Sequence, residues 1–217
     1  MDDKVRRIII ADDHAVVRTG LQMILDATTD LSIVEEARNG DELLHKLMYA
    51  SFDLVILDIS MPGKDAIDVL KEIKESYTSL PVVIFSMNAD EVYAIRMIRN
   101  GASAYMNKET NPQQIITILR TVLSGKKYFT QEQSEMLAEM VSEPEKNAEL
   151  VMHEVLTDRE FQIMAMLASG IKKSEIAEKL SISKHTIANH RNNIMRKMNF
   201  TSNSELTRYA IQYGIIK

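Results

Sequence analysis

Five polar residues stand where apolar runs of this chain stop. Asp12 and Asp13 follow Arg7-Ile8-Ile9-Ile10-Ala11, Asp58 follows Leu54-Val55-Ile56-Leu57, Ser86 follows Pro81-Val82-Val83-Ile84-Phe85, and Lys108 lies just beyond Ala104-Tyr105-Met106. Three carboxylates brought to one place repel one another unless a cation lies among them. Oxygen ligands without His or Cys favour a hard ion, and Mg2+ suits a site that uses a few carboxylates, keeps several waters and engages a phosphate. A carboxylate can also act as nucleophile and form an aspartyl phosphate, with Mg2+ and a lysine offsetting charge on the transferred group. Asp58 is the predicted nucleophile, because the unbroken apolar run before it makes it the most rigidly placed of the three. The Ser86 hydroxyl can donate to a phosphoryl oxygen. Taken singly, each feature is ordinary: an Asp-Asp pair ahead of a helix caps it and complements its dipole, and a Lys or Ser ending a strand is a polar boundary. His14 reads as a polar residue opening the helix.

These residues need a scaffold that gathers strand ends. The apolar runs, with Leu31-Ser32-Ile33-Val34, read as five strands. Between them, segments near 14–26, 40–49, 65–75, 90–99 and 111–124 space their apolar residues at three and four, as amphipathic helices do. Five βα units predict a doubly wound five-stranded parallel sheet with helices on both faces, whose ligands bind beyond the carboxyl ends of the strands. Asp12, Asp13, Asp58, Ser86 and Lys108 all fall on that edge.

The chain has 217 residues and a formal net charge of -5, and the charge is unevenly spread. Residues 1–127 hold 15 Lys+Arg and 19 Asp+Glu, residues 128–155 hold 1 and 7, and residues 156–217 hold 10 and 5. The last piece is therefore basic, a recognised hint of nucleic-acid binding. The predicted boundaries follow: a phosphoacceptor domain at 1–127, an acidic, partly helical linker at 128–155, and an all-α domain at 156–217. In the linker, Thr130 to Ser142 reads as a helix capped by Thr130, and 142–147 as a break.

The last domain reads as four helices near 157–168, 173–180, 184–198 and 204–213. Its second and third, joined by Ser181-Ile182-Ser183, form a helix-turn-helix, whose second helix enters the major groove. Ser183 caps that helix, and Ile187, Ile194 and Met198 mark its buried side. Ala188, Asn189 and Asn192 can reach base edges, since Asn pairs bidentately with adenine and Ala touches a thymine methyl. Lys184, Thr186, Arg191 and Lys197 suit phosphates.

Cysteine is absent, which excludes disulfides, zinc-thiolate sites and thiol nucleophiles and suits a reducing, cytoplasmic setting. No stretch reaches the roughly 18 apolar residues of a spanning helix, and the N-terminus runs into the first strand without a signal-peptide core. The 14 methionines, spread over both domains, read as adaptable core filler.

Residues 5 to about 125 resemble the receiver domain of two-component response regulators. The matching elements are Ile10-Ala11-Asp12-Asp13-His14, Asp58 to Asp65, Ser86, Gly101-Ala102, Tyr105 and Lys108. The resemblance implies that Asp58 accepts phosphate from a sensor histidine kinase. It also implies that Asp12, Asp13, Asp58 and the Ser60 carbonyl bind Mg2+, that Lys108 pairs with the phosphoryl group, and that Ser86 and Tyr105 form the switch. Ala66, Met87 and Glu109 depart from the family's usual residues. Residues 155–217 resemble the LuxR-type helix-turn-helix module of the NarL/FixJ class. That likeness rests on Leu156 to Glu160, Leu167 to Gly170, Glu175 to Leu180, Ser183 to Ile187, His190-Arg191 and Lys197-Met198, with Ala188 where the family usually has Lys. It implies a homodimer on double-stranded DNA, with Leu206, Tyr209 and Ala210 of the last helix as interface candidates.

The expected function is thus a DNA-binding response regulator controlled by phosphorylation of Asp58, and not an enzyme in turnover. Two alternatives come from other classes. One is a Mg-dependent phosphohydrolase, whose haloacid-dehalogenase type wants an Asp two residues after the nucleophile where Ser60 stands. The other is a phosphorylated adaptor that binds only protein.

Overall fold

The computed structural model describes residues 5–87, 91–142, 152–180, 182–213 and 215–216. The predicted break near 142–147 and Ser181 of the predicted turn lie wholly or largely outside them. The chain forms two compact units, Met1–Ala89 with Arg96–Phe129, and Asp90–Ile95 with Thr130–Lys217.

The first unit is built on β1 (Arg6–Ala11), β2 (Leu31–Ala37), β3 (Leu54–Leu57), β4 (Val82–Ser86) and β5 (Ala104–Asn107). They alternate with α1 (Ala15–Asp26), α2 (Gly40–Tyr49), α3 (Ala66–Ser76), α4 (Glu91–Arg99) and α5 (Pro112–Leu123). The strands are all parallel in the order β2-β1-β3-β4-β5. This is the predicted doubly wound sheet. Crossovers that run outward in both directions from β1 and β3 place helices on both faces, as right-handed connections do. On one face Ile8, Ile10, Leu54, Ile56, Val83 and Phe85 pack with Leu21 and Leu25 of α1 and Ile115, Leu119 and Val122 of α5. Alternate strand residues, among them Ile9, Val55 and Leu57, are equally buried and point the other way.

Of the strand limits that differ from the predicted ones, two have a clear physical cause. β2 continues past Val34 through exposed Glu35 and Glu36 to Ala37, because an edge strand is held by its backbone pairing with β1 and tolerates polar side chains. β4 begins at Val82 rather than Pro81, whose missing N–H cannot enter a ladder. Gly40 at the start of α2 is fixed by space: a Cβ there would come within 2.4 Å of Val69 Cγ2 on α3. At the predicted boundary, the Tyr128 N–H donates to the Ser103 carbonyl at 2.9 Å.

The second unit contains α6 (Gln131–Ser142), a 3-10 turn at Met152–Val155, α7 (Asp158–Ala168), α8 (Lys173–Lys179), α9 (Lys184–Lys197) and α10 (Asn203–Gln212). Thr130 caps α6 as predicted, its Oγ1 accepting the Gln133 N–H at 3.1 Å. Reciprocal capping boxes start α7 (Thr157 with Glu160) and α10 (Ser202 with Glu205). Met164, Ile176, Ile187, Ile194, Met198 and Leu206 are buried. Among the described residues no helix is long and apolar enough to cross a membrane.

Candidate functional site

The strand order reverses between β1 and β3, and the crevice outside their carboxyl ends is where a doubly wound sheet binds ligands. Asp12 leaves β1 and Asp58 leaves β3 at that point. The backbone holds both: the Asp12 N–H donates to the Ala37 carbonyl at 3.0 Å, and the Asp58 N–H to the Ala11 carbonyl at 2.9 Å. The two carboxylates are each 1% exposed. Lys108, beyond β5, closes the group: its Nζ lies 2.7 Å from Asp12 Oδ2 and 3.0 Å from Asp58 Oδ2, and its side chain is 4% exposed. Burial pushes the Asp58 carboxyl up. The Lys108 ammonium pulls it back and the Asp12 carboxylate pushes it further, leaving it above the usual Asp value.

Asp13 is the accessible member, with its side chain 33% exposed. One ligand atom from each of Asp12, Asp13, His14 and Asp58 can be chosen so that all lie within 4.8 Å of one another. The three carboxylates and one ammonium leave two negative charges, the charge a divalent ion would match. Asp12 Oδ2 and Asp58 Oδ2 are buried with no hydrogen bond of good geometry, the Lys108 contacts being charge contacts. Oxygen donors, excess charge and under-satisfied buried oxygens together fit Mg2+.

Ser60 is exposed, and its N–H donates to Asp58 Oδ1 at 3.2 Å. Ser86 is buried at the end of β4, opposite Asn107 in the ladder, and its carbonyl accepts the Lys108 N–H at 2.8 Å. Tyr105 pairs with Ile84, two residues back from that edge, and is also buried. His14 is more than a polar boundary: it occupies the N-cap position of α1, and its Nδ1 lies 2.8 Å from Asp13 Oδ1 and 3.3 Å from Asp12 Oδ1.

Sequence reasoning missed Arg18, a buried residue whose Nη1 donates to the Asp12 carbonyl at 2.8 Å and whose Nε donates to Glu36 Oε2 at 2.5 Å. Its signal was available. Arg18 stands three before Leu21 and seven before Leu25, on the apolar stripe of α1.

In the second unit α9 is the polar helix. Ser183 caps it, with Oγ accepting the Thr186 N–H at 3.0 Å and lying 2.8 Å from Thr186 Oγ1. Ile187, Ile194 and Met198 are buried as predicted. The exposed side carries His185, Asn189, Asn192 and Arg196 at helical spacing, with Lys184 exposed at the first turn and Ala188 half-buried. Two predicted phosphate contacts are otherwise engaged. Arg191 Nε donates to Asn203 Oδ1 at 2.8 Å, tying α9 to the start of α10. Lys197 Nζ lies 2.6 Å from Glu160 Oε2, on a carboxylate that is 4% exposed and also accepts the Thr157 N–H at 2.8 Å. Burial pushes the Glu160 carboxyl up, but the Lys197 and Thr157 donors outweigh it and hold it below the usual value. His190, beside them, is pushed down by burial, with the Glu160 charge raising it and Arg159 lowering it.

The interface candidates on α10 need correction. Leu206, Tyr209 and Ala210 are buried inside this one chain and form part of its core, because they are the apolar stripe of an amphipathic helix. The exposed apolar residue of α10 is Ile211, at 57%.

Comparison with known proteins agrees with both halves. Residues 8–120 match the family model of the response regulator receiver domain, and residues 154–210 that of the bacterial regulatory proteins of the luxR family. Oxygen regulatory protein NreC of Staphylococcus carnosus (strain TM300) is 37% identical over 214 residues, covering 97% of this chain and 99% of that protein. A structure of the RcsB response regulator of Salmonella typhimurium aligns over 97% of this chain and 99% of its own, with TM-score 0.70 and 24% identity. A second, RcsB from Salmonella enterica serovar Typhimurium bound to a promoter with phosphomimetic BeF3-, aligns over 94% and 97%, with TM-score 0.64 and 25% identity.

Proposed function

Because the chain belongs to the response regulators that join a receiver domain to a LuxR-type DNA-binding domain, we propose that Asp58 is its phosphoacceptor and that phosphorylation controls how the second domain binds double-stranded DNA. The observation that carries this reading is the buried Asp12–Lys108–Asp58 contact at the ends of β1, β3 and β5. In the transfer from a sensor histidine kinase, an Asp58 carboxylate oxygen attacks phosphorus, an O–P bond forms, the N–P bond of phosphohistidine breaks, and the imidazole leaves with the electron pair. Asp12, Asp13, Asp58 and the Ser60 carbonyl would hold Mg2+, which supplies positive charge against the phosphoryl oxygens. The Lys108 ammonium, already on Asp58, turns to the added oxygens, and Ser86 donates its hydroxyl to one of them. Tyr105 repacks as the β4 and β5 ends adjust.

We assign the receiver to 1–127, the acidic linker to 128–155 and the DNA-binding domain to 156–217. On DNA, α9 lies in the major groove with Asn189 and Asn192 toward base edges. Ser183, Lys184 and Thr186 at its N-terminus lie toward phosphates, with Arg196 further along. The homodimer reading passes to the exposed side of α10 around Ile211. The promoter-bound RcsB with a phosphomimetic supports regulation of DNA binding by the receiver, and a regulatory role in the cytoplasm, without substrate turnover, goes with this reading.

Incubation with acetyl phosphate and Mg2+, followed by intact-mass measurement and selection of bound sequences from random DNA, tests the reading. Wild type should gain one phosphoryl group and enrich a specific DNA site more strongly; Asp58→Asn should gain none. Full phosphorylation of Asp58→Asn, or no enrichment of any DNA by either form, would overturn it.

A further inference from the structure

We propose that Arg18 is a positioning residue of the acidic pocket: by clamping the peptide between Asp12 and Asp13, it sets the mutual orientation of two metal-binding carboxylates. The inference rests on the reading of this pocket as a Mg2+ site.

Arg18 comes from the middle of the first turns of α1 and is 7% exposed. A guanidinium withdrawn from water to that extent is costly unless its donors are used. Here Nε goes to Glu36 Oε2 on the β2 edge at 2.5 Å, and Nη1 to the Asp12 carbonyl at 2.8 Å. Glu36 keeps 46% of its side-chain surface and is solvated whether or not Arg18 is present. The carbonyl is the partner that lacks an equivalent.

The consequence follows from peptide geometry. The Asp12 carbonyl and the Asp13 N–H lie in one rigid plane. Asp12 itself is fixed from the other side, by its own N–H on the Ala37 carbonyl at 3.0 Å and by Oδ1 accepting the His14 N–H at 2.8 Å. The remaining freedom is rotation of the Asp12–Asp13 peptide plane, which swings the Asp13 carboxylate relative to Asp12 and Asp58. Among the described contacts, Arg18 is the donor on the Asp12 carbonyl and so restrains this plane directly, while His14 Nδ1, 2.8 Å from Asp13 Oδ1, bears on the carboxylate end. Groups that orient metal ligands from outside typically contribute about 10–100-fold to metal affinity.

The test is Mg2+ titration of the full chain by isothermal titration calorimetry, with circular dichroism confirming the folded fraction. Arg18→Met should weaken Mg2+ by about 10-fold or more. Glu36→Gln removes the other partner of Arg18 but leaves the carbonyl clamp, and should bind Mg2+ within about 2-fold of wild type. Arg18→Lys, which keeps the charge and can reach one acceptor, should fall between them and serves if Arg18→Met does not fold. A merely structural role would lower the melting temperature of Arg18→Met and Glu36→Gln alike without separating their Mg2+ affinities. Wild-type affinity in Arg18→Met and Arg18→Lys, or equal loss in Glu36→Gln, overturns the assignment of Arg18. Failure of wild type to bind Mg2+ overturns instead the metal reading beneath it.

Discussion

Replacing Lys197 by Met separates two roles that sequence alone could not. If its ammonium met a DNA phosphate, the variant would lose affinity for all sequences alike, and the slope of log affinity against log salt would shrink by about 1. The structure puts that ammonium on Glu160 at 2.6 Å instead, joining the C-terminal end of α9 to the capping box of α7. Breaking a buried ion pair from one side costs about 3–5 kcal/mol. The Lys197 side chain keeps 31% of its surface, and solvent screening brings the expected loss to about 1–2 kcal/mol. For a unit of this size that lowers the melting transition by roughly 5–15 °C. The pH dependence has a definite sign. A carboxyl held below its usual value stabilises the fold above the unfolded value, and that contribution disappears as pH falls through the folded one. Without Lys197, burial of Glu160 is opposed only by the Thr157 donors, so its carboxyl rises and acid begins to destabilise the variant at a higher pH. Calorimetric melts across acid pH, with DNA binding measured at several salt concentrations, check both halves. An unchanged melting temperature with a salt slope reduced by one would refute the structural role.

Arg196→Ala, on the exposed side of the same helix, should do the reverse, reducing the salt slope by about 1 with little change in urea unfolding. Gly40→Ala should cost about 1–3 kcal/mol in urea unfolding, because its Cβ would lie 2.4 Å from Val69 Cγ2; a Gly40→Ala/Val69→Ala double variant should recover part of that, as contacting sites do in a mutant cycle. Asp58→Asn in chelator should melt higher than wild type at neutral pH, since burial disfavours the ionised carboxyl. Its advantage should shrink on acidification, as the raised Asp58 carboxyl takes up its proton in wild type.

The parallel sheet was legible because each central strand is a short, uninterrupted apolar run, and the edge that gathers Asp12, Asp58 and Lys108 follows from topology alone. What escaped were features that depend on neighbours. The polar half of β2 carries no alternation, because pairing with β1 rather than burial keeps it extended. Arg18 sits on an apolar stripe where periodicity expects a hydrophobe, and its partners, the Asp12 carbonyl and Glu36, come from elements distant in pattern. Lys197 reads from sequence as a free cation because its partner is 37 residues away. Resemblance points Leu206, Tyr209 and Ala210 to an interface, whereas their spacing describes the inner face of an amphipathic helix, where they are buried. Spacing reports which face is apolar; what covers that face is a tertiary fact.

Lys108 shows how the pocket can convert a local charge change into a displacement. Its ammonium is shared between Asp12 and Asp58, while its backbone N–H donates to the Ser86 carbonyl at 2.8 Å. Phosphorylation would replace the single charge of one carboxylate with about 1.5 to 2 negative charges on oxygens that lie further out. On the proposed reading the ammonium would then be drawn from a shared position toward the new group, and the β5 end that carries it would move with the Ser86 end of β4, because one hydrogen bond and the Ser86–Asn107 register join them. A rigid, buried lysine is needed for this: an exposed one would reorient in solvent and leave the strands where they were. Burial thus disfavours the ionised Asp58 carboxyl at rest and, on the proposed reading, would couple its charge to the backbone.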